Sequence, residues 1–225
     1  MRRSATCTLL LALGLSLAQA LAAEEAPWTI RRDVDGIEVA TRAVPGSPHT
    51  EVRARMRVDA PLAAVVALLR DKSVAPEWIA YCADSFVIEA PSETEALTYT
   101  WNAMPWPVRD RELVMRVRWF RDAGSGVVRM EARAEAAGGP SVAERIRITD
   151  ARTGWTLAPN GDGSVDVEFR SHVDPASPVP AWLLNRLLVN APHGTLERMR
   201  ALLTEERYRS AELDFITSPP PPAAP

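Results

Sequence analysis

Between Arg111 and Phe120 the chain alternates. Leu113, Met115, Val117 and Trp119 share one phase, and Glu112, Arg116 and Arg118 share the other. Successive side chains on a strand point to opposite faces, so this pattern predicts a long strand with one apolar and one wet face. The same period recurs at Glu51–Val58, where Val52, Ala54, Met56 and Val58 alternate with Arg53, Arg55 and Arg57. Pro45-Gly46-Ser47-Pro48 supplies the turn from a partner strand at Gly36–Thr41. Further strands are predicted near Ser85–Ala90, Leu97–Asn102, Val127–Ala134, Arg145–Leu157 and Val165–Val173. Gly124-Ser125-Gly126 and Asn160-Gly161-Asp162-Gly163 read as hairpin turns between neighbours. The arginine stripe at 53, 55 and 57 reads as the solvated outer face of a sheet.

Two stretches have a helical period instead. Asp59-Ala60-Pro61 opens a helix that runs to Arg70, since proline suits a first turn where no N–H is needed. A short helix carrying Trp78 is expected over Ala75–Tyr81. From Pro180 a long helix shows an apolar stripe that includes Leu183, Leu184, Leu187, Leu188, Leu196 and Met199. Pro192 lies inside that pattern, and its missing N–H and ring clash predict a break near Leu188–Asn190.

The two ends read differently from the middle. Arg2 and Arg3, the apolar run Thr8–Leu17 and the small residues at 18–23 make a secretory signal peptide over residues 1–23. The run is shorter than the ~20 residues a membrane span needs. Residues 24–210 then form one domain, with Trp28 packing onto it, and residues 211–225 a disordered tail rich in proline and alanine. Export to a periplasm or beyond leaves Cys82 as the single thiol, read as buried and inert. A net charge of −3 gives no electrostatic footprint for nucleic acid.

No cluster has metal-ligand spacing, and no nucleophile elbow, P-loop or dinucleotide fingerprint occurs. The chain reads as a non-enzyme that needs no cofactor. What the pattern offers is an apolar, adaptable interior. Met56, Trp101, Met115, Val117, Trp119, Met130, Ala132 and Phe169 fall on the inward phase of the strands, with Leu184, Leu187 and Leu188 facing them from the last helix. Large and very small residues mix at these positions, and methionine fits irregular space. This favours a ligand cavity over a solid core. Asp110, Arg111 and Glu112 crowd charge at one strand entrance, as a structural ion pair or, through Arg111, as a polar anchor for a ligand.

Several segments carry a resemblance. Asp35-Gly36-Ile37-Glu38-Val39, Pro76-Glu77-Trp78, Pro105-Trp106-Pro107-Val108-Arg109-Asp110-Arg111-Glu112, Gly154-Trp155 and Val179-Pro180-Ala181-Trp182-Leu183-Leu184-Asn185 stand in the order found in START lipid-binding domains. From about Trp28 to Arg207 the chain resembles that family, in particular its bacterial secreted members. The resemblance implies an α+β helix-grip fold: a curved antiparallel sheet wrapped round a long C-terminal helix, with an internal apolar tunnel. It also implies a monomer that binds a lipid or other hydrophobic small molecule and carries it between membranes by transient contact. The alternative is a helix-grip enzyme of the aromatase/cyclase kind acting on a hydrophobic substrate, which export argues against.

Overall fold

The computed structural model describes residues 26–217. Ten strands form one sheet in the order β1-β2-β3-β10-β9-β7-β6-β5-β4, with β8 paired to β6 beyond the end of β7. The strands are β1 Thr29–Val34, β2 Ile37–Ala43, β3 Thr50–Val58, β4 Cys82–Ser92, β5 Glu95–Asn102, β6 Arg111–Arg121, β7 Val128–Ala134, β8 Ile146–Ile148, β9 Ala151–Pro159 and β10 Val165–Val173. All pairs are antiparallel except β6–β8. Helices α1 Leu62–Arg70 and α2 Ala75–Trp78 lie between β3 and β4. After β10 come α3 Ala181–Asn185, a π-helical turn at Arg186–Asn190, α4 Ala191–Leu202, α5 Glu206–Arg209 and α6 Asp214–Thr217. This is the helix-grip architecture: the sheet curves round the C-terminal helix.

The alternation read from sequence sets which face is which. On β3, Val52, Ala54, Met56 and Val58 are buried, and the arginines between them reach outward. Arg53 pairs with Glu38, Arg55 with Glu168 and Arg57 with Asp162. Trp28 lies on this outer face, its ring 4.4 Å from the Arg42 guanidinium and 4.6 Å from that of Arg53. Such stacking lets one half-buried tryptophan cover several cationic stems. The helix side of the core rests on Leu183, Leu196, Met199 and Leu203, all fully buried.

Four sequence expectations change. β1 was not predicted, because its residues are mostly exposed and do not alternate. The single strand expected over Arg145–Leu157 is two: β8 pairs parallel with β6, β9 pairs antiparallel with β7, and the chain turns between them at Thr149-Asp150. The break expected near Leu188–Asn190 takes the form of the π-helical turn directly before Pro192. A widened turn is how a helix absorbs a proline that cannot donate to it. Finally, order continues past residue 210. Helix α6 lies in the stretch assigned to the tail, and its Phe215 ring meets Trp119 edge-on at 6.2 Å. Leu213 and Ile216 pack against the core beside it. Three apolar side chains among seven residues are enough to dock a single turn. The signal segment 1–23 and residues 218–225 lie outside the described residues.

Candidate ligand cavity

The space between the concave face of the sheet and the last helix is not filled. It leaves a cavity of about 450 Å³, inside the ~300–1,000 Å³ range of small-molecule sites. Each wall follows from strand phase. β6 contributes Leu113, Met115 and Val117, β7 contributes Met130 and Ala132, and β10 contributes Phe169, Ser171 and Val173. Leu184, Leu187 and Leu188 close it from the helix side, with Pro192 and Thr195 below them. One end is closed by aromatic rings: Trp155 stands 4.8 Å from Phe169 and 6.0 Å from Trp78. Gly154 lets β9 lie close to β7 here, since a Cβ would meet the Met130 carbonyl at 3.4 Å.

Eight of the apolar residues expected at the wall line it: Met115, Val117, Met130, Ala132, Phe169, Leu184, Leu187 and Leu188. Three expected there do not. Trp101 pairs with Glu112 across β5–β6 and therefore shares the outer phase of that pair. Its indole N–H donates to Asp110 at 2.8 Å and its ring lies 3.8 Å under the Arg145 guanidinium. Trp119 faces inward but is covered by Phe215 and Arg70. Met56 also faces inward and is packed in solid core.

The polar lining was mostly missed. Thr98, Thr100 and Asn102 of β5 line the cavity, as do Thr153 and Ser171. Their signal was present in the register: Thr98 pairs with Met115 and Thr100 with Leu113, so the inward phase of β6 fixes that of β5. Lys72, in a 3-10 turn between α1 and α2, also lines the cavity. Its Nζ donates to the Leu69 carbonyl at 2.8 Å. Burial lowers its pKa to about 8, against a smaller upward pull from Cys82 and Asp71. Cys82 is buried beside it, and desolvation pushes its thiol up to about 11, which makes it unreactive.

The three charges at the entrance of β6 part company. Asp110 accepts from Trp101 Nε1 and from the Met104 amide at 2.9 Å, which ties down the loop of residues 103–110. Arg111, 3% exposed, turns into the cavity. It donates to the Arg109 carbonyl and, at 2.8 Å, to Ser177 Oγ. Desolvation lowers its pKa from the ordinary arginine value. Glu112 faces the other way, onto the outer side, where it is 0% exposed. There it accepts from Tyr99 Oη at 2.9 Å and from Arg147 Nη2 at 2.9 Å. The loop after β7 covers this pair, with the Val142 amide donating to Glu112 at 3.3 Å. Neither the ion pair between adjacent residues nor a cluster of three is formed.

Among the described residues no group of His, Cys, Asp and Glu could hold a metal ion, and no helix is long and apolar enough to cross a membrane. His49 reaches Asp174 at 3.3 Å on the cavity rim. His172 meets Ser47 at 3.0 Å, and His193 meets the Val34 carbonyl at 3.2 Å. The imidazoles are held apart by these structural bonds.

The comparisons with known proteins agree with this geometry. A crystal structure of a STAR-related lipid transfer protein from Xanthomonas axonopodis superposes with a TM-score of 0.72 at 35% identity, covering 79% of this chain and 99% of that one. The human StAR-related lipid transfer protein 5 shares the fold, with a TM-score of 0.70 at 15% identity over 79% of this chain and 86% of that one. An uncharacterized protein of Pseudomonas aeruginosa is 30% identical over 174 residues, 77% of this chain and 85% of its own length. The START domain model itself matches residues 11–207, and the chain belongs to the START domain family.

Proposed function

We propose that this protein binds one lipid or other hydrophobic small molecule in the cavity between sheet and helix, and carries it between membranes outside the cytoplasm. The observation that supports this most is the cavity itself: about 450 Å³ of space walled by Met115, Met130, Phe169 and three leucines of the last helix. Protein interiors normally pack without voids larger than a water molecule. A space this large among apolar side chains is filled by an apolar ligand, and each buried methylene contributes ~0.8 kcal/mol. Arg111 stands where a polar headgroup would be oriented. The lipid transfer activity in the name of the Xanthomonas relative supports the same reading. START domains are in general lipid-binding modules, so binding without chemical change of the ligand is part of the proposal.

Ala132→Trp tests the cavity. Ala132 is a small residue on its wall, and an indole there occupies ligand space. The expected outcome is loss of fluorescent-lipid uptake, with the melting temperature held within a few degrees. If Ala132 instead faced a tightly packed core, overpacking would cost ~1–3 kcal/mol and lower the melting temperature. A variant that melts early yet binds normally contradicts the assignment. Export is tested by the intact mass of the secreted protein, which should lack the residues up to a point between Ala20 and Ala23.

A further inference from the structure

Lys72 is the only lysine among the 26 basic Lys and Arg residues of the chain, and it lies on the cavity wall. The arginines of the outer face meet carboxylates, as Arg53, Arg55, Arg57 and Arg116 do. Lys72 has no carboxylate partner among the described residues. Its one hydrogen bond, to the Leu69 carbonyl, occupies one of three ammonium donors. Its sequence neighbour Asp71 turns elsewhere, accepting from Ser73 and from Tyr208 Oη at 3.0 Å.

The rest of the wall adds to this imbalance. Among the described residues that line the cavity are Lys72 and Arg111, but no Asp or Glu. The protein as a whole is acidic, with a net charge of −3. Positive groups are therefore concentrated inside an acidic molecule. They also gather at one end. Cys82, Asn102 and Arg111 are partners across the adjacent strands β4, β5 and β6. Arg111 thus begins two strand spacings, about 10 Å, from Cys82, and β4, which Cys82 opens, packs against the 3-10 turn that carries Lys72. Between the two cations, Asn102 and Thr100 offer neutral polar groups.

Lys72 is half-buried on this wall, and a charge partly withdrawn from water with unmet donors gains when an opposite charge joins it. Of the two cations, Arg111 is already tied to the Arg109 carbonyl and Ser177. The lysine is a compact point charge on a flexible stem, free to follow a ligand's head. We propose that the cavity takes a single-chain amphiphile with an anionic oxyacid head, a carboxylate or a phosphate, and that Lys72 is its headgroup anchor. The volume, in the lower half of the usual range, suits one chain rather than two. This inference rests on the reading of the cavity as a hydrophobic-ligand site.

The test uses delipidated protein and four probes that share one chain: palmitate, hexadecyl phosphate, hexadecanol and hexadecyltrimethylammonium. Displacement of a fluorescent lipid reads the affinities. The expected result is that one or both anionic probes bind at least tenfold more tightly than hexadecanol, and that the cationic probe binds worst. Which anion binds more tightly identifies the head as carboxylate or phosphate. Lys72→Met is expected to bring the anionic-to-neutral ratio close to one, and Lys72→Arg to retain most of it. Equal binding of palmitate, hexadecyl phosphate and hexadecanol by the wild-type chain overturns the anionic assignment while leaving the cavity reading standing. A preserved ratio in Lys72→Met overturns the role of Lys72. If none of the four probes binds, the cavity reading itself fails and the inference fails with it.

Discussion

Lys72 is a half-buried ion and Glu112 a fully buried one, and only Glu112 has its partners in place. Burial pushes the Glu112 carboxyl up, and the bonds from Tyr99 and Arg147 with the charge of Arg147 outweigh it, so its pKa lies below the usual value. A depressed carboxylate stabilises the fold fully above its unfolded pKa, and that contribution is lost as pH falls through the folded value. Glu112→Ala should therefore destabilise by about 3 kcal/mol at neutral pH, because Arg147 and Tyr99 lose their acceptor. The deficit should shrink in acid, as followed by urea titrations at several pH values. Lys72 behaves in the opposite sense. Its folded pKa of about 8 lies below the ordinary lysine value of 10.5, so the cost of its burial is complete below pH 8 and is relieved as pH rises toward 10.5. Asp71 and Cys82 are the charged or titratable groups that act on it. Lys72→Met should raise the stability of empty protein on the order of 1–3 kcal/mol at neutral pH, and should remove the rise in stability above pH 8. An unchanged melting curve would mean that the ammonium is well solvated. From sequence, Lys72 was not singled out. Its isolation among 25 arginines was the one available signal, and a count does not say where a side chain points.

At the scale of elements, period carried most of the information. β6, β7 and β10 place Met115, Val117, Met130, Ala132 and Phe169 on the cavity wall as alternation required. Trp101 was misplaced because the apolar phase of β5, with Leu97, Tyr99 and Trp101, is the outer one, while Thr98, Thr100 and Asn102 face the cavity. Only pairing with β6 resolves it. Trp119 and Met56 show a second limit: phase tells inward from outward, but not which inward positions touch empty space. That depends on how far α6 and the last helix extend. The loop between β5 and β6 shows a third. Its Trp106, within the family-like Pro-Trp-Pro segment, packs on nothing and is 89% exposed. The loop carries a cis Trp106–Pro107 bond and is anchored by Asp110 to Met104, which lines the cavity. An exposed tryptophan on a loop that reaches the cavity wall through Met104 suits the boundary between water and lipid, where amphipathic rings settle. We propose that this loop makes the membrane contact of the carrier. Trp106→Ala should lower the fraction of protein that floats with vesicles severalfold, and leave lipid binding in solution intact. Flotation equal to the wild type would move the contact elsewhere.

For the whole molecule, the sheet and the C-terminal helix perform different tasks. The sheet makes a rigid concave wall, held on its outer face by ion pairs such as Arg53–Glu38 and Arg116–Glu135. The helix covers the opening, and its π-helical turn at Arg186–Asn190 coincides with the part that faces the cavity, at Leu187 and Leu188. Beyond that turn α4 is anchored by Leu196 and Met199 in the core. The half that faces the proposed ligand is thus the half with irregular hydrogen bonding, a feature of segments that open locally. In the proposed function the space behind it holds an amphiphile. Native mass spectrometry after incubating the delipidated chain with a total lipid extract tests this most directly. The account predicts a second peak, heavier by one lipid molecule per chain and sharply reduced in Ala132→Trp. A spectrum showing only the bare polypeptide, under conditions that keep the protein folded, would contradict it.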